Sequence, residues 1–207
     1  MEETSFRVET ELILGGFSCV GGVDEVGRGA LAGPVTAAVT AFAPDIDDRL
    51  VREVTDSKLL TPKKRDRLSN EIRNLAVVCS VGSCSAAEVD EYGIVLATKK
   101  AMLRAIADSI RQPDFLLVDA LDLPEAKIPF ESIIKGDRKS RSIAAASIVA
   151  KVARDMEMSN ISNLYDGYGF ERNKGYGTRE HMIALSEKGP SPIHRRSFAP
   201  VSKAMKS

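Results

Sequence analysis

The chain has 207 residues, of which 43% are hydrophobic and 28% are charged, and its formal net charge is zero. This hydrophobic content is ample for a buried core. The sequence has no run of about eighteen apolar residues, so no membrane span is expected. Residues 1–134 carry 15 basic and 22 acidic side chains, whereas residues 135–207 carry 14 and 7. An acidic part suited to metal therefore precedes a basic part suited to a polyanion, unless the surface charges are segregated by chance.

The three cysteines are too few and too scattered for a disulfide framework. Cys79 and Cys84 lie in an apolar stretch, so we expect buried thiols rather than metal ligands. The first thirty residues lack a basic segment followed by an apolar one, so no secretory signal is expected. These features predict a reducing, cytoplasmic setting.

Residues 1–16 are expected to be a mobile lead-in. Short apolar runs predict strands over residues 17–23, 34–42 and 77–84. Thr61 followed by Pro62 is typical of a helix start, and this helix is expected to end near residue 75. Ser85 and Glu88 have the spacing of a capping box. A longer helix is predicted over residues 94–110, with a core face formed by Leu103, Ile106 and Ile110.

The second half of the chain continues the alternation. Residues 115–119 are a compact apolar run ending in a carboxylate, which predicts a buried strand, and residues 132–137 predict a shorter one. Residues 142–165 are rich in alanine and predict a long helix, and a further helix is expected near 178–187. Because strands and helices are interleaved, the fold class is α/β.

Residues 23–34 (VDEVGRGALAGP) are the most informative stretch of the chain. Asp24 and Glu25 are adjacent carboxylates at the end of an apolar run, and such a pair is able to hold a hard divalent cation. Glycine on both sides of Arg28 lets backbone N–H groups and the guanidinium approach a phosphate. The stretch therefore predicts a site that brings a metal ion to a phosphodiester.

Two further carboxylates, Asp119 and Asp137, close predicted strands. Because functional groups of open α/β sheets lie beyond strand ends, we expect these two side chains to join the acidic pair after the first strand. Four clustered carboxylates repel one another unless cations separate them, and two Mg²⁺ or Mn²⁺ ions about 4 Å apart would do so. Each carboxylate could instead be a turn or cap residue, and Asp119 has three nearby competitors, Asp122, Glu125 and Glu131.

Six ordered motifs resemble those of bacterial type 2 ribonuclease H (ribonuclease HII), and together they extend from about residue 17 to residue 198. They are residues 22–34, 55–58 (TDSK), 117–119 (LVD), 135–155, 174–178 (KGYGT) and 194–198 (HRRSF). The first motif departs from the family's common pattern at Ala30, where proline is frequent. Six motifs in order make the resemblance specific, whereas one alone would not.

The resemblance implies a ribonuclease H-like fold, with a five-stranded mixed sheet flanked by helices. Residues 17–165 would form the catalytic domain, and residues 166–207 would form a small helical, substrate-binding extension. The implied activity is endonucleolytic hydrolysis of RNA in RNA–DNA hybrids, together with incision 5′ of a single ribonucleotide in duplex DNA. The products would carry 3′-hydroxyl and 5′-phosphate ends. The implied protein is a monomer that binds these duplexes and no membrane.

The resemblance also implies the roles of particular residues. By their positions in the motifs, the family's metal-binding carboxylates match Asp24, Glu25, Asp119 and Asp137. The implied substrate-binding residues are Gly27, Arg28, Gly29 and Tyr176. The backbone of the glycine-flanked arginine would sense the 2′-hydroxyl, the group by which a protein distinguishes RNA from DNA. The tyrosine ring would pack on the following sugar and select the RNA-to-DNA junction.

Several residues are open to two interpretations. Lys58 is either a phosphate contact or an ordinary surface lysine. Lys174, Arg179, Arg195 and Arg196 are candidate contacts to the nucleic-acid backbone, whereas His194 and Asp155 are expected to be structural. Two other functions stay open at this point. A ribonuclease H-like recombinase or junction nuclease would cut all-DNA substrates, and a hybrid-binding module with a dead site would bind without turnover.

Overall fold

The computed structural model describes residues 4–205, and its strands form one five-stranded sheet. The strands are β1 (Val20–Val26), β2 (Val35–Ala41), β3 (Val78–Cys84), β4 (Phe115–Asp119) and β5 (Phe130–Ile133). Their order is β3-β2-β1-β4-β5; β1 is antiparallel to β2, and β2 is antiparallel to β3. The β1–β4 and β4–β5 pairs are parallel. The mixed sheet implied by the resemblance is therefore confirmed.

Helices cover both faces of the sheet. They are α1 (Arg7–Leu14), α2 (Asp48–Val51), α3 (Pro62–Leu75), α4 (Ala86–Tyr92), α5 (Ile94–Ala107), α6 (Arg141–Ser162), α7 (Phe170–Asn173), α8 (Arg179–Lys188) and α9 (Ala199–Ala204). The apolar side chains of α5 pack on one face, and those of α3 and α6 pack on the other. None of the helices in residues 4–205 is long and apolar enough to cross a membrane.

Local signals placed several of these elements correctly. The Thr61 hydroxyl accepts the Lys64 N–H at the start of α3, and Ser85 and Glu88 form the predicted capping box. The alanines of α6 allow its N-terminal turns to lie directly on β1, where a side chain on Gly22 would come within 2.2 Å of the Ile143 nitrogen. Glycine at position 22 is therefore required for this close packing.

Other expectations are wrong in detail. Helix α5 ends at Ala107 rather than at residue 110, so Ile110 is fully exposed while Ile106 is buried. The last strand covers residues 130–133 rather than 132–137, because Lys135 adopts a left-handed conformation with φ 56° and ends it. All three cysteines are free thiols; Cys84 is buried as predicted, whereas Cys79 is only partly buried.

The expected lead-in contains a helix with a structural role. Helix α1 carries Glu9, which is buried, and Glu9 Oε1 accepts hydrogen bonds from the Ser140 hydroxyl at 2.7 Å and from the Ser142 N–H at 2.8 Å. The Thr4 hydroxyl also lies 3.5 Å from the Asp137 carbonyl oxygen. The N-terminal segment therefore holds the start of α6, whereas the domain boundaries stay a prediction.

Candidate active site

The functional end of the sheet is the point where β1 and β4 separate. The last pair in the β1–β4 register is Val23 with Val118, so Asp24 and Asp119 follow on neighbouring strands at the same edge. Beyond this point β1 continues alongside β2, which leaves an opening between β1 and β4. Sheets of this kind place functional groups in such a crevice.

Asp137 reaches the same edge on a short 3-10 turn, Gly136–Arg138, rather than on a strand. The Gly136 N–H donates to Asp119 Oδ1 at 2.7 Å, which ties the turn to the end of β4. A side chain on Gly136 would lie 2.5 Å from Ile143 Cδ1, so glycine lets the turn approach α6 without displacing this side chain. The structure thereby brings Asp137 to the side of Asp119.

The predicted carboxylates share one electrostatic environment. Burial raises the pKa of Asp24 well above its usual value, and the negative charges of Glu25, Asp119 and Asp137 raise it further. Burial is also the largest cause of the raised pKa of each of the other three carboxyls. The cluster therefore opposes its own ionisation unless positive charge is added to it.

Glu25 shows most directly that positive charge fits this site. Its Oε1 accepts a hydrogen bond from Arg28 Nη1 at 3.2 Å, whereas Oε2 is buried without a hydrogen-bond partner among residues 4–205. In the same range, no three His, Cys, Asp or Glu side chains are already grouped as a finished metal site. All candidate ligands are carboxylate oxygens, which hard divalent cations prefer. A cation would both pair the orphan oxygen and relieve the repulsion, so the residues fit a divalent metal.

A fifth carboxylate, Asp56, lies beside the cluster and was not predicted as a site residue. It is almost fully buried, with Oδ1 accepting the Lys58 N–H at 2.9 Å and Oδ2 accepting from Arg138 Nη2 at 3.3 Å. Burial raises the pKa values of Asp119 and Asp137, the charge of Asp56 adds to that rise, and the charge of Lys58 opposes it. Lys58 is therefore brought to the carboxylates. The signal for Asp56 was its place in the TDSK motif.

The loop after β1 lies against the C-terminal part of the chain. Gly27 has a φ of +90°, and a side chain there would come within 2.2 Å of Arg154 Nε. The Leu31 N–H donates to the Gly175 oxygen at 2.8 Å, and a side chain on Gly175 would lie 2.3 Å from the Ala32 oxygen. Glycine at both positions allows this approach. The structure therefore places in one neighbourhood the predicted substrate-binding residues Gly27, Arg28, Gly29 and Tyr176.

Tyr176 is half-buried, and two cations from α6 lie near its ring. The Arg154 guanidinium carbon lies 5.4 Å from the ring centroid, and Lys151 Nζ lies 5.8 Å from it. The backbone oxygen of Tyr176 is 2.9 Å from His181 Nδ1. Cations over a ring face both support the ring and restrict its movement. These two contacts therefore favour one position of the half-buried ring.

The basic tail differs in part from expectation. Arg195 is fully buried and donates to the Gly33 and Arg28 carbonyl oxygens, so its assignment as a phosphate contact is wrong. Arg179 and Arg196 are exposed and stay candidates. Lys174 is partly buried, and its ammonium group donates to the Ser159 hydroxyl. The tail therefore supplies both interior supports and exposed cations.

The remaining residues open to interpretation are structural. His194 is buried, as predicted, and pairs with His181. Asp155 forms an ion pair with Lys151 within α6. Arg154 was missed because one arginine in a helix motif gives no sign that it is buried.

A five-stranded mixed sheet with an acidic site where β1 and β4 separate defines the ribonuclease H-like class of nucleases. The family model described as Ribonuclease HII matches residues 21–201. The chain therefore belongs to the ribonuclease HII family. As a member it is a metal-dependent endoribonuclease of the ribonuclease H type, a group that acts on RNA–DNA hybrids.

Individual relatives agree with this assignment. The chain is 50% identical to ribonuclease HII of Desulfitobacterium hafniense (strain DSM 10664 / DCB-2), over 98% of this chain and 77% of the relative. It is 48% identical to ribonuclease HII of Chlamydia caviae, over 95% and 92% of the two chains. Among solved structures, the PCNA:RNase HII complex from Archaeoglobus fulgidus matches with a TM-score of 0.75 and 27% identity, covering 91% of this chain and 97% of that one.

Proposed function

We propose that the protein incises the strand 5′ of a single ribonucleotide embedded in duplex DNA, and that it also cleaves RNA within longer RNA–DNA hybrids. The observation that carries this proposal is the juxtaposition of the acidic cluster with the Gly27–Gly29 loop, which follows it directly in the chain. One region suits a metal ion, and the other suits close approach by a sugar. Family membership supports the hybrid as substrate.

The four carboxylates Asp24, Glu25, Asp119 and Asp137 are proposed to hold Mg²⁺ or Mn²⁺ in a two-metal-ion site. When bound, the two cations supply positive charge that activates the attacking water and neutralises the leaving oxygen. Water attacks phosphorus, the bond to the 3′-oxygen breaks, and a proton passes to that oxygen. The products are a 3′-hydroxyl and a 5′-phosphate.

The Gly27, Arg28 and Gly29 backbone is proposed to recognise the 2′-hydroxyl of the ribose. Gly29 is exposed, and a side chain built on it would meet nothing within 4 Å, so this part of the loop is open to a ligand. Because glycine lacks a side chain, its N–H is accessible to a sugar oxygen. A deoxyribose offers no oxygen at this position, which gives the loop a basis for discrimination.

Tyr176 is proposed to pack on the sugar that follows the ribonucleotide. A 2′-hydroxyl on that sugar would crowd the ring, so the contact favours an RNA-to-DNA junction. The two cations near the ring support this role, since they favour one ring position, and Arg154, which lies near the ring, also lies against Gly27. Aromatic rings are common platforms for nucleic acids.

Charges around the cluster would guide the duplex. Lys58 is proposed to contact a phosphate, because it is exposed and its charge acts on Asp119 and Asp137. Residues 166–207 are proposed to extend the binding surface through exposed arginines such as Arg179 and Arg196.

We further infer that the protein acts as a monomer in the cytoplasm. The three free thiols support a reducing compartment. A monomer is proposed because every residue assigned to the site is supplied by one chain.

The decisive experiment uses a DNA duplex that carries one ribonucleotide, labelled at its 5′ end, with and without Mg²⁺ or Mn²⁺. We expect one metal-dependent cut immediately 5′ of the ribonucleotide, with a 3′-hydroxyl on the labelled product. Cutting of an all-DNA control would favour a recombinase or junction nuclease. Binding without turnover in either metal would favour a hybrid-binding module.

A further inference from the structure

Two buried arginines stand behind the loop that carries the proposed ribose contact. Arg154 and Arg195 are both fully buried, and neither forms a salt bridge with an acidic side chain in residues 4–205. They bind backbone carbonyl oxygens instead. Arg154 donates to Pro34, Ala32 and Lys174, whereas Arg195 donates to Gly33 and Arg28.

Arg195 holds the Arg28 carbonyl group at the centre of the Gly27–Gly29 loop. Its Nη1 donates to the Arg28 oxygen at 2.9 Å, and its Nε donates to the Gly33 oxygen at 3.1 Å. The Arg195 N–H also donates to the Leu31 oxygen at 2.8 Å. Arg195 therefore binds three carbonyl groups between residues 28 and 33, in the segment that follows β1.

Because the peptide bond is planar, fixing the Arg28 carbonyl also fixes the direction of the Gly29 N–H. The Arg28 carbonyl and the Gly29 N–H belong to the same peptide unit, in which the C=O and N–H of a trans bond point to opposite sides. Because Arg195 holds the carbonyl toward the interior, the Gly29 N–H is directed outward. Among residues 4–205 this N–H makes no hydrogen bond, and Gly29 itself is exposed.

We propose that Arg195 is a positioning residue that aims the Gly29 N–H at the 2′-oxygen and thereby sets the preference for ribose over deoxyribose. This inference rests on the proposed function of the Gly27–Gly29 loop. It assigns a buried residue of the C-terminal segment to substrate selection, through the loop rather than through contact with the substrate.

The chemistry of arginine suits this task better than that of lysine. The planar guanidinium presents N–H donors in a fixed fork, so two carbonyl groups are held at a defined angle. Burial and the charge of Arg154 lower the pKa of Arg195 to about 10, which leaves it charged near neutral pH. Its Nη2 is buried without a partner among the described residues. Burial of this unpaired donor costs free energy. The cost indicates that the loop requires the geometry of the Arg195 guanidinium.

The test compares binding to two duplexes that differ in one sugar, ribose or deoxyribose, in Mg²⁺ with Asp119→Asn as the non-cleaving background. The measured quantity is the ratio of the two dissociation constants. We expect Arg195→Lys and Arg195→Gln to reduce this ratio about five- to tenfold, the effect of misdirecting one hydrogen bond. Arg141→Lys is the matched control, because Arg141 is also buried and binds the carbonyl oxygens of Arg52 and Val54, away from the loop.

An unchanged ratio in both Arg195 variants would overturn the inference while leaving the proposed function intact. A ratio of one in the Asp119→Asn protein itself would refute the proposed function, and the inference with it. An equal fall in the ratio in Arg141→Lys would show that general loosening, not positioning, is responsible.

If neither Arg195 variant folds, the Gly29 amide signal in the NMR spectrum of the Asp119→Asn protein decides the matter. The proposal requires this signal to shift with the ribonucleotide duplex and not with the deoxyribonucleotide duplex. The same shift with both would overturn it.

Discussion

The acidic cluster and the two buried arginines behind the Gly27–Gly29 loop each concentrate charge of one sign in buried surroundings. The two regions differ in the groups that balance this charge. At the end of β1, repulsion and burial raise the pKa of Asp24, and one oxygen of Glu25 has no partner in the described part of the chain. Behind the loop, Arg154 and Arg195 lie close enough for the charge of Arg154 to lower the pKa of Arg195. Their charges are nevertheless met by five backbone carbonyl oxygens.

This difference indicates that the acidic cluster is suited to binding a ligand, whereas Arg154 and Arg195 are suited to holding the loop in one conformation. Carboxylates left short of positive charge gain most when a cation arrives, so the acidic cluster is suited to binding metal. The guanidinium groups bind carbonyl oxygens through most of their N–H donors, and only Arg195 Nη2 lacks a partner in the described part of the chain, so they are suited to fixing a loop. Changes to the first region should abolish activity, and changes to the second should alter selectivity.

The largest expected effect is on the acidic cluster. Replacing Asp119 with Asn keeps its shape and its contact with the Gly136 N–H but removes a charged metal ligand, so we expect kcat to fall at least ~1,000-fold. Steady-state cleavage of a hybrid in Mg²⁺ and Mn²⁺ measures this, with circular dichroism to check the fold. Asp122→Asn is the matched control, since Asp122 is an exposed acid three residues further on, and its activity should stay within about twofold of the original. Full activity in Asp119→Asn would remove this residue from the site.

The same region should be more stable without its charge. Because burial and three neighbouring carboxylates raise the pKa of Asp24, its ionised form is unfavourable in the folded protein. Asp24→Asn should therefore inactivate the enzyme and yet raise the free energy of unfolding in chelator, by on the order of 1 kcal/mol. Urea unfolding in EDTA measures this. A less stable Asp24→Asn protein would contradict the description of the cluster as a site short of positive charge.

A smaller and more selective effect is expected at Tyr176. Removal of the ring in Tyr176→Ala should reduce incision at a lone ribonucleotide by roughly tenfold or more, the scale of one lost stacking contact. Cleavage of a long hybrid should suffer less, because every position offers a ribose. Tyr176→Phe retains the ring and serves as the control. Equal losses on both substrates would refute a junction-sensing role.

The success of sequence reasoning differed between these two regions for a physical reason. Apolar runs and the acidic residues beside them are visible in a sequence, so Asp24, Glu25 and Asp119 were selected before the sheet was known. The end of the first strand was nevertheless misplaced, because β1 extends past residue 23 to Val26 and contains Asp24 and Glu25. Asp137 was also selected, but it was assigned to the wrong element, because the left-handed conformation of Lys135 that ends β5 has no clear signal outside glycine and asparagine.

The supports of the loop were not visible in the sequence. An arginine normally indicates a surface, and only tertiary structure shows that Arg154 and Arg195 are buried against carbonyl oxygens. The same limit explains α1, since the burial of Glu9 depends on Ser140 and Ser142, more than 130 positions away. Contacts between distant segments, rather than local propensity, account for what was missed.

Lys58 should show a modest effect, because it is an exposed charge at the edge of the acidic cluster. We expect Lys58→Met to raise KM several-fold and to reduce the slope of log KM against log salt by about 0.9, the contribution of one phosphate contact. Lys63→Met, at another exposed lysine five residues away, should change neither quantity. An unchanged salt slope in Lys58→Met would make this residue an ordinary surface lysine.

The smallest effect at neutral pH concerns the chain's two histidines, which support the loop region. The Ser191 N–H donates to His194 Nδ1, His194 Nε2 lies 3.0 Å from His181 Nε2, and His181 Nδ1 lies 2.9 Å from the Tyr176 oxygen. The Ser191 N–H is a donor, so His194 Nδ1 accepts, and the His194 proton lies on Nε2 and is donated to His181 Nε2. The Tyr176 oxygen is an acceptor, so His181 Nδ1–H donates to it. Both rings must therefore be neutral.

Acid should consequently affect the two regions in opposite directions. Burial and the neighbouring His181 lower the pKa of His194 to about 4, below its unfolded value of about 6.5, so the unfolded state binds the additional proton first. Stability from this group is complete above pH ~6.5 and falls as the pH drops toward 4, by on the order of 3 kcal/mol. The carboxylates, with raised pKa values, are instead relieved by protonation. Urea unfolding between pH 7 and 4 should thus show a loss that His194→Gln lacks, and equal slopes in both proteins would place the acid sensitivity outside the histidine pair.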